Sequence, residues 1–194
     1  HKRTVERGLV SLIGPAALEL GGAPELQALA EHSHRLVSVA DVAARAIRTD
    51  VGVDLLCGAD DTAALLVVLA DAGAVPVSEA TAECLRVEHG RPRYGIDLDD
   101  TVIPQEAGLN ERAVSFQKGC YVGQETVARL YYRGKPNRHL RGLKLQAPAQ
   151  SADEVTSGQR VVGRVGSVAL SPRLGPIGLA LIRREVEPGQ SVSV

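Results

Sequence analysis

The amino-acid sequence predicts an α+β fold in which strands and two helical stretches open the chain, a long irregular segment follows, and the end is all strand. Three features lead there. Residues 51–57 alternate apolar and polar with period two; Leu65, Val68, Leu69 and Ala72 form a helical stripe; and beyond Pro136 only strand patterns occur.

Leu9 to Ile13 reads as a buried strand, and Gly14-Pro15 opens a short helix with proline at its first position, ended by Gly21-Gly22. A second helical piece covers 24–30. Strands at 36–39 and 43–47 form a hairpin with Asp41 near its turn. In the next strand Val51, Val53, Leu55 and Cys57 share one face, which makes Cys57 a core side chain. Asp60 or Asp61 caps the striped helix, Gly73 stops it, and a strand at 75–77 follows. This order resembles a split βαβ or ferredoxin-like unit over 4–78.

Ser78 caps another helix that runs to Gly90. Residues 91–117, rich in proline, glycine and acids, read as a functional loop region. A helix from Gly123 to Gly134 buries Val127, Leu130 and Tyr131, and strands at 140–145, 160–170, 177–182 and 191–194 suggest a small antiparallel barrel. Residues 148–158 read as a flexible loop.

The 194 residues with 44% apolar content suffice for one ordinary domain or two small ones. The 22 basic and 23 acidic residues nearly cancel, so no global field selects nucleic acid, anionic membrane or acidic substrate. No run approaches the roughly 18 apolar residues of a membrane span, and no leader pattern is present. A cytoplasmic location is the expectation, with Cys57, Cys84 and Cys120 as reduced thiols. Because the chain opens on His1 inside a strand pattern, we expect a missing N-terminal portion of a longer protein.

Cys120 has Lys118 two residues before it and a helix start after it, and both favour thiolate over thiol. Gly119 and Gly123 leave room around the sulfur. The opposing reading is a cysteine acting as a small buried apolar group. Glu88 lies in the last turn of its helix, where the dipole disfavours a carboxylate by about 0.3–1 kcal/mol unless something compensates. On its own it reads as an exposed glutamate paired with Arg86 or Arg91. From residue 126 to 152 there is no acid, while Arg129, Arg133, Lys135, Arg138, Arg141 and Lys144 give six cations. Interleaved with Tyr131 and Tyr132, this strip could bind RNA, a folate's glutamate tail or an acidic partner, or be a face balanced by the acids of 97–111. His32-Ser33-His34 lacks the further ligands a metal needs.

The string KGCYVGQE at 118–125 resembles the signature of the YgfZ family, and as in that family a basic helix follows it. LRVEHG at 85–90, YGIDLD at 94–99 and PQEAGL at 104–109 are similar both to YgfZ proteins and to the glycine-cleavage T-protein, an aminomethyltransferase. The resemblance implies a folate-binding domain, a ferredoxin-like domain (4–78) and a C-terminal barrel (136–194), with 79–135 as the remainder of the folate-binding domain. It implies a tetrahydrofolate-binding accessory protein of iron-sulfur cluster assembly or maintenance, with assembly or client proteins as partners and neither membrane nor nucleic acid. Cys120 would be the functional thiol, its surroundings shaped by Lys118, Gly119, Gly123, Gln124 and Glu125. Glu88 would hydrogen-bond the pterin, with Tyr94, Tyr121 and Arg129 as further folate contacts. One cysteine supplies one of the usual four cluster ligands, so any cluster would be transient and shared with a partner. The alternatives are a tetrahydrofolate-dependent aminomethyltransferase and an RNA-binding module.

Overall fold

Alternation of side chains shapes the first part of the chain in the computed structural model, which describes residues 4–194. The chain divides into two compact units, His1–Pro76 and Val77–Val194. Segments 79–135 and 136–194 lie together in the second.

In the first unit, strands β1 (Arg7–Ile13), β2 (His34–Val39), β3 (Val42–Arg48) and β4 (Gly52–Gly58) form an antiparallel sheet in the order β1-β4-β3-β2. Strand β4 buries Val53, Leu55 and Cys57 on one face, against Leu65 and Leu69 of helix α2 (Thr62–Asp71). Leu18 of helix α1 (Ala17–Leu20) and Leu26 of the 3-10 turn Pro24–Ala28 join this core. Each such side chain contributes about 1.5–3 kcal/mol by leaving water.

Three expectations are corrected here. Pro15 precedes the N-cap Ala16 and is not the first helical residue. Asp61 stands at the N-cap of α2 without a side-chain capping bond. Residues 75–77 are coil, with Val75 and Val77 exposed; Pro76 between them has no N–H to give a ladder.

The second unit carries helices α3 (Glu79–Glu88), α4 (Asn110–Ala113) and α5 (Gln124–Arg133). Strands β5 (Arg138–Lys144), β6 (Glu154–Ser157), β7 (Arg160–Ser171) and β8 (Gly175–Arg183) form a second antiparallel sheet, ordered β5-β8-β7-β6. The loop expected at 148–158 contains β6, whose Val155 is fully buried with Val162, Val165 and Ile182. A two-residue alternation among small polar residues is too short to read as a strand in advance. At 191–194 only the Ser193 bridge to Thr156 forms. Tyr131, expected in the core, is 52% exposed, and Val127 alone is buried on α5.

Leu55→Ala is expected to lower stability by about 2–5 kcal/mol. Leu36→Ala, at a side chain on the open face, should change it by less than about 0.5 kcal/mol. Urea unfolding of both variants checks the difference.

Candidate functional site

Helix α3 begins where the Ser78 hydroxyl accepts the Thr81 N–H at 3.2 Å, a side-chain cap. Its Val87 packs against Ile177 and Leu179 of β8, which brings Arg86 and Glu88 to strand β7 and the turn after it. The Arg86 guanidinium donates to Glu83 (2.9 and 2.5 Å), to Asp97 (3.1 Å), to the Ser167 hydroxyl (2.5 Å) and to the Arg91 carbonyl.

Asp97 is the centre of this network, with a side chain that solvent does not reach. It accepts from the Ser167 N–H and hydroxyl, both at 2.7 Å, and from the Arg93 N–H at 2.8 Å. An unpartnered buried carboxylate would cost several kcal/mol, and four donors offset that here. The register of β7 against β8 shifts between Val165 and Val168; this irregularity frees the Ser167 N–H for Asp97. Gly166 is required beside it, because a Cβ there would stand 2.3 Å from the Asp97 carboxylate. The hydrogen bond from Arg86 holds the Glu83 carboxyl below the usual range.

A second buried carboxylate, Glu106, takes a bidentate ion pair from Arg138 at 3.1 and 2.8 Å, and its carbonyl accepts the Leu140 N–H at 2.6 Å. The 91–109 segment is thus pinned to the sheet at both ends. An open cleft of about 1160 Å³ runs beside it, lined by Asp97, Glu106, Arg138, Arg164, Arg183 and Glu185 among others. Of the basic strip Arg138 lines it, while Cys120, its motif neighbours, Glu88, Tyr94, Tyr121 and Arg129 do not.

Glu88 meets the turn after β7, while Arg86 is committed to Glu83, Asp97 and Ser167. One Glu88 oxygen accepts from the Ser171 hydroxyl at 2.5 Å and lies 4.0 Å from the Cys84 thiol; the other receives Arg173 at 3.4 Å. Its side chain is 12% exposed. Arg173 and Ser171 supply the compensation that its place in the last helical turn demands. Burial, followed by repulsion from Glu88, pushes the Cys84 thiol up.

In the motif, Tyr121 to Gln124 make a turn closed by the Gln124 N–H on the Tyr121 carbonyl at 3.2 Å. Gly123 has φ 87°, ψ 0°, the left-handed third position of a type II turn. The turn sets the N-cap of α5 three residues beyond Cys120 and leaves Val122 fully open to solvent and Cys120 exposed. The Lys118 ammonium lies 4.8 Å from the centre of the Tyr121 ring. The Gln124 amide oxygen accepts the Tyr121 N–H at 3.3 Å, and Gln105 donates to the Val127 carbonyl of α5 at 2.7 Å. The Tyr121 hydroxyl and the Gln105 amide oxygen are buried without a hydrogen-bond partner among the described residues.

Lys118, Tyr121, Gly123 and Gln124 are therefore brought together, with Cys120, Gly119 and Glu125 exposed around them. Glu88 joins the turn after β7, Tyr94 is exposed and donates to Asp100 at 2.5 Å, and Arg129 is exposed on α5. Among the described residues no hydrogen bond or ion pair links Glu88 or Tyr94 to the motif. Sequence reasoning missed Ser167 and Ser171. Their signal was weak: a serine next to Gly166 inside a strand pattern, and one before Pro172 at its end. Among the described residues no group of three or more His, Cys, Asp or Glu side chains could hold a metal, and no helix is long and apolar enough to cross a membrane.

Residues 138–194 match the family model of the glycine cleavage T-protein C-terminal barrel domain. An aminomethyltransferase of Rubrobacter xylanophilus is 31% identical over 201 residues, covering 98% of this chain and 54% of that protein. One from Nostoc sp. is 35% identical over 130 residues, covering 65% of this chain and 34% of that protein. The crystal structure of the glycine cleavage system aminomethyltransferase T from Bartonella henselae superposes with a TM-score of 0.77 at 23% identity, covering 96% of this chain and 54% of that one. The chain therefore spans about half, or less, of the length of these relatives. It is T-protein-like in fold and in its barrel domain.

Arg86→Ala should destabilise the protein by about 3–5 kcal/mol at pH 7, since it leaves the Asp97 carboxylate buried without its cation. The folded pKa of Glu83 lies below the ordinary 4.5, so its contribution is present above that value and lost as pH falls through the lowered one. The gap between wild type and variant should consequently narrow below about pH 4.5, which urea titrations at pH 7 and at about pH 3.5 measure.

Proposed function

We propose that this T-protein-like chain belongs to a tetrahydrofolate-binding protein that handles one-carbon units as an aminomethyltransferase does. The names of its relatives support the reading. The observation that carries it is the Glu88 carboxylate, fixed through one oxygen by the buried Ser171 hydroxyl and able to accept through the other. A pterin ring offers adjacent N–H donors, and such a held acceptor suits them. The Tyr121 hydroxyl, buried and without a partner among the described residues, is a second group that can donate to or accept from a polar ligand, and both residue types suit tetrahydrofolate. Glu88 would hold the ring, while Tyr121 would complete its polar contacts. Bound tetrahydrofolate supplies the nitrogen that accepts the one-carbon unit.

A second reading is favoured by Cys120, whose thiol stands open on the type II turn. In it the protein is a YgfZ-type accessory factor for iron-sulfur proteins, with a cluster as cargo. Cys120 would then supply one thiolate, and a partner the remaining ligands. The two readings share folate and differ in the sulfur.

Calorimetric titration of the intact protein with tetrahydrofolate should show binding that weakens about tenfold or more in Glu88→Gln, the loss of one charge-assisted hydrogen bond. Absence of binding heat in the wild type would overturn the folate reading. Release of the one-carbon unit from an aminomethyl-loaded carrier protein, measured in wild type and Cys120→Ala, separates the two. Turnover that survives the substitution supports the transferase. Absent turnover, together with a Cys120-dependent loss of activity in iron-sulfur enzymes of cells carrying the variant, supports the accessory factor.

A further inference from the structure

Aromatic side chains are scarce in this protein, with one phenylalanine, four tyrosines and no tryptophan. Four of the five, Phe116, Tyr121, Tyr131 and Tyr132, fall within the motif segment and α5. Neither core uses them, since every buried apolar residue is aliphatic, alanine or cysteine. Tyr131 and Tyr132 are 52% and 69% exposed, and Val122 projects fully from the turn in front of them. The rings are held in place by one another. Phe116 stacks on Tyr131 with centroids 3.9 Å apart, and Tyr132 meets Tyr131 edge-on at 5.0 Å.

After Glu125 on its first turn, the charged side chains of α5 are all cationic. Arg129, Tyr132 and Arg133 stand at i, i+3 and i+4, so they share one face of α5. Elsewhere in the second unit Arg86, Arg93, Arg138, Arg160, Arg164 and Arg173 each have a carboxylate partner. Arg129 and Arg133 have none among the described residues. Exposed, pre-ordered aromatics flanked by unpaired arginines are the composition of an interface centre and its rim.

We infer that the outer face of α5, with the Val122 turn before it, is a docking surface for an acidic segment of a partner protein. Charge complementarity names the occupant: no acid occurs from residue 126 to 152, so the partner must bring the carboxylates. A protein fits this face better than RNA does, because Phe116 and Tyr131 cover each other and do not offer separate platforms for bases. The surface is independent of whichever reaction Cys120 or Glu88 serves.

Fluorescence anisotropy of a fluorescein-labelled peptide of alternating glutamate and leucine, titrated with the intact protein at low salt, tests it. Binding should weaken about tenfold in the double variant Arg129→Glu, Arg133→Glu and in Tyr132→Ala, and should remain unchanged in Cys120→Ser. Circular dichroism melts of the variants, all at exposed positions, should match wild type. Since the protein has no tryptophan, quenching of tyrosine emission by the peptide gives a second readout that Tyr132→Ala diminishes. No binding by the wild type, binding that survives charge reversal, or displacement of the peptide by poly(U) at lower concentration than by unlabelled peptide would each overturn the inference.

Discussion

A carboxylate taken wholly out of water is the constraint on which the second unit depends. Asp97 cannot be buried unless donors reach it from every side, and those donors come from three places: Arg86 on α3, the Arg93 backbone in the loop region, and Ser167 in β7. Satisfying one charge therefore fixes helix, loop and sheet relative to one another. Two local departures from regularity follow from it, the register shift in β7 and the glycine at 166 where no side chain fits. A buried pair of this kind adds little net stability compared with apolar packing, but losing one member is costly. Its contribution is to specify one arrangement.

That arrangement decides where Glu88 lies. With Val87 packed on β8 and Arg86 committed to Asp97, the next residue of α3 meets the turn after β7, where the Ser171 hydroxyl donates to it and accepts the N–H groups of Arg173 and Leu174. One hydroxyl thus both shapes the turn and orients the carboxylate. The barrel strands act on the candidate folate residue without being near it in sequence, 83 positions separating Ser171 from Glu88.

How far this was legible in the sequence depends on the range of the interaction. Local signals carried through: the alternation of Val53, Leu55 and Cys57, the stripe of Leu65 and Leu69, the Ser78 cap and the glycines bracketing α5 each reappear in the structure. Local information failed where a distant partner decides. Val155 becomes a strand residue because β7 receives it, Val75 and Val77 stay in coil because Pro76 cannot pair, and the partners of Glu88 lie in another element. Tyr131 misled for a different reason. It sits one turn after the buried Val127, on the helical stripe, yet it packs on Phe116 at the surface.

The segment that carries the motif is tied to the rest by few bonds. Val127 is the buried contact of α5, Gln105 braces its backbone, and the turn at Tyr121 to Gln124 is closed by its own atoms. The buried ion pairs of Asp97 and Glu106 hold the scaffold without involving any residue from 115 to 135. Substitution there can change a surface thiol, an aromatic cluster or a row of arginines at little cost to the fold, because exposed positions away from caps and cores shift stability by less than about 0.5 kcal/mol. Likeness in the barrel, over 138–194, consequently constrains the scaffold and does not reach Cys120. The allocation of four aromatic rings to it, in a protein whose cores use none, is what sets that segment apart from structural filling.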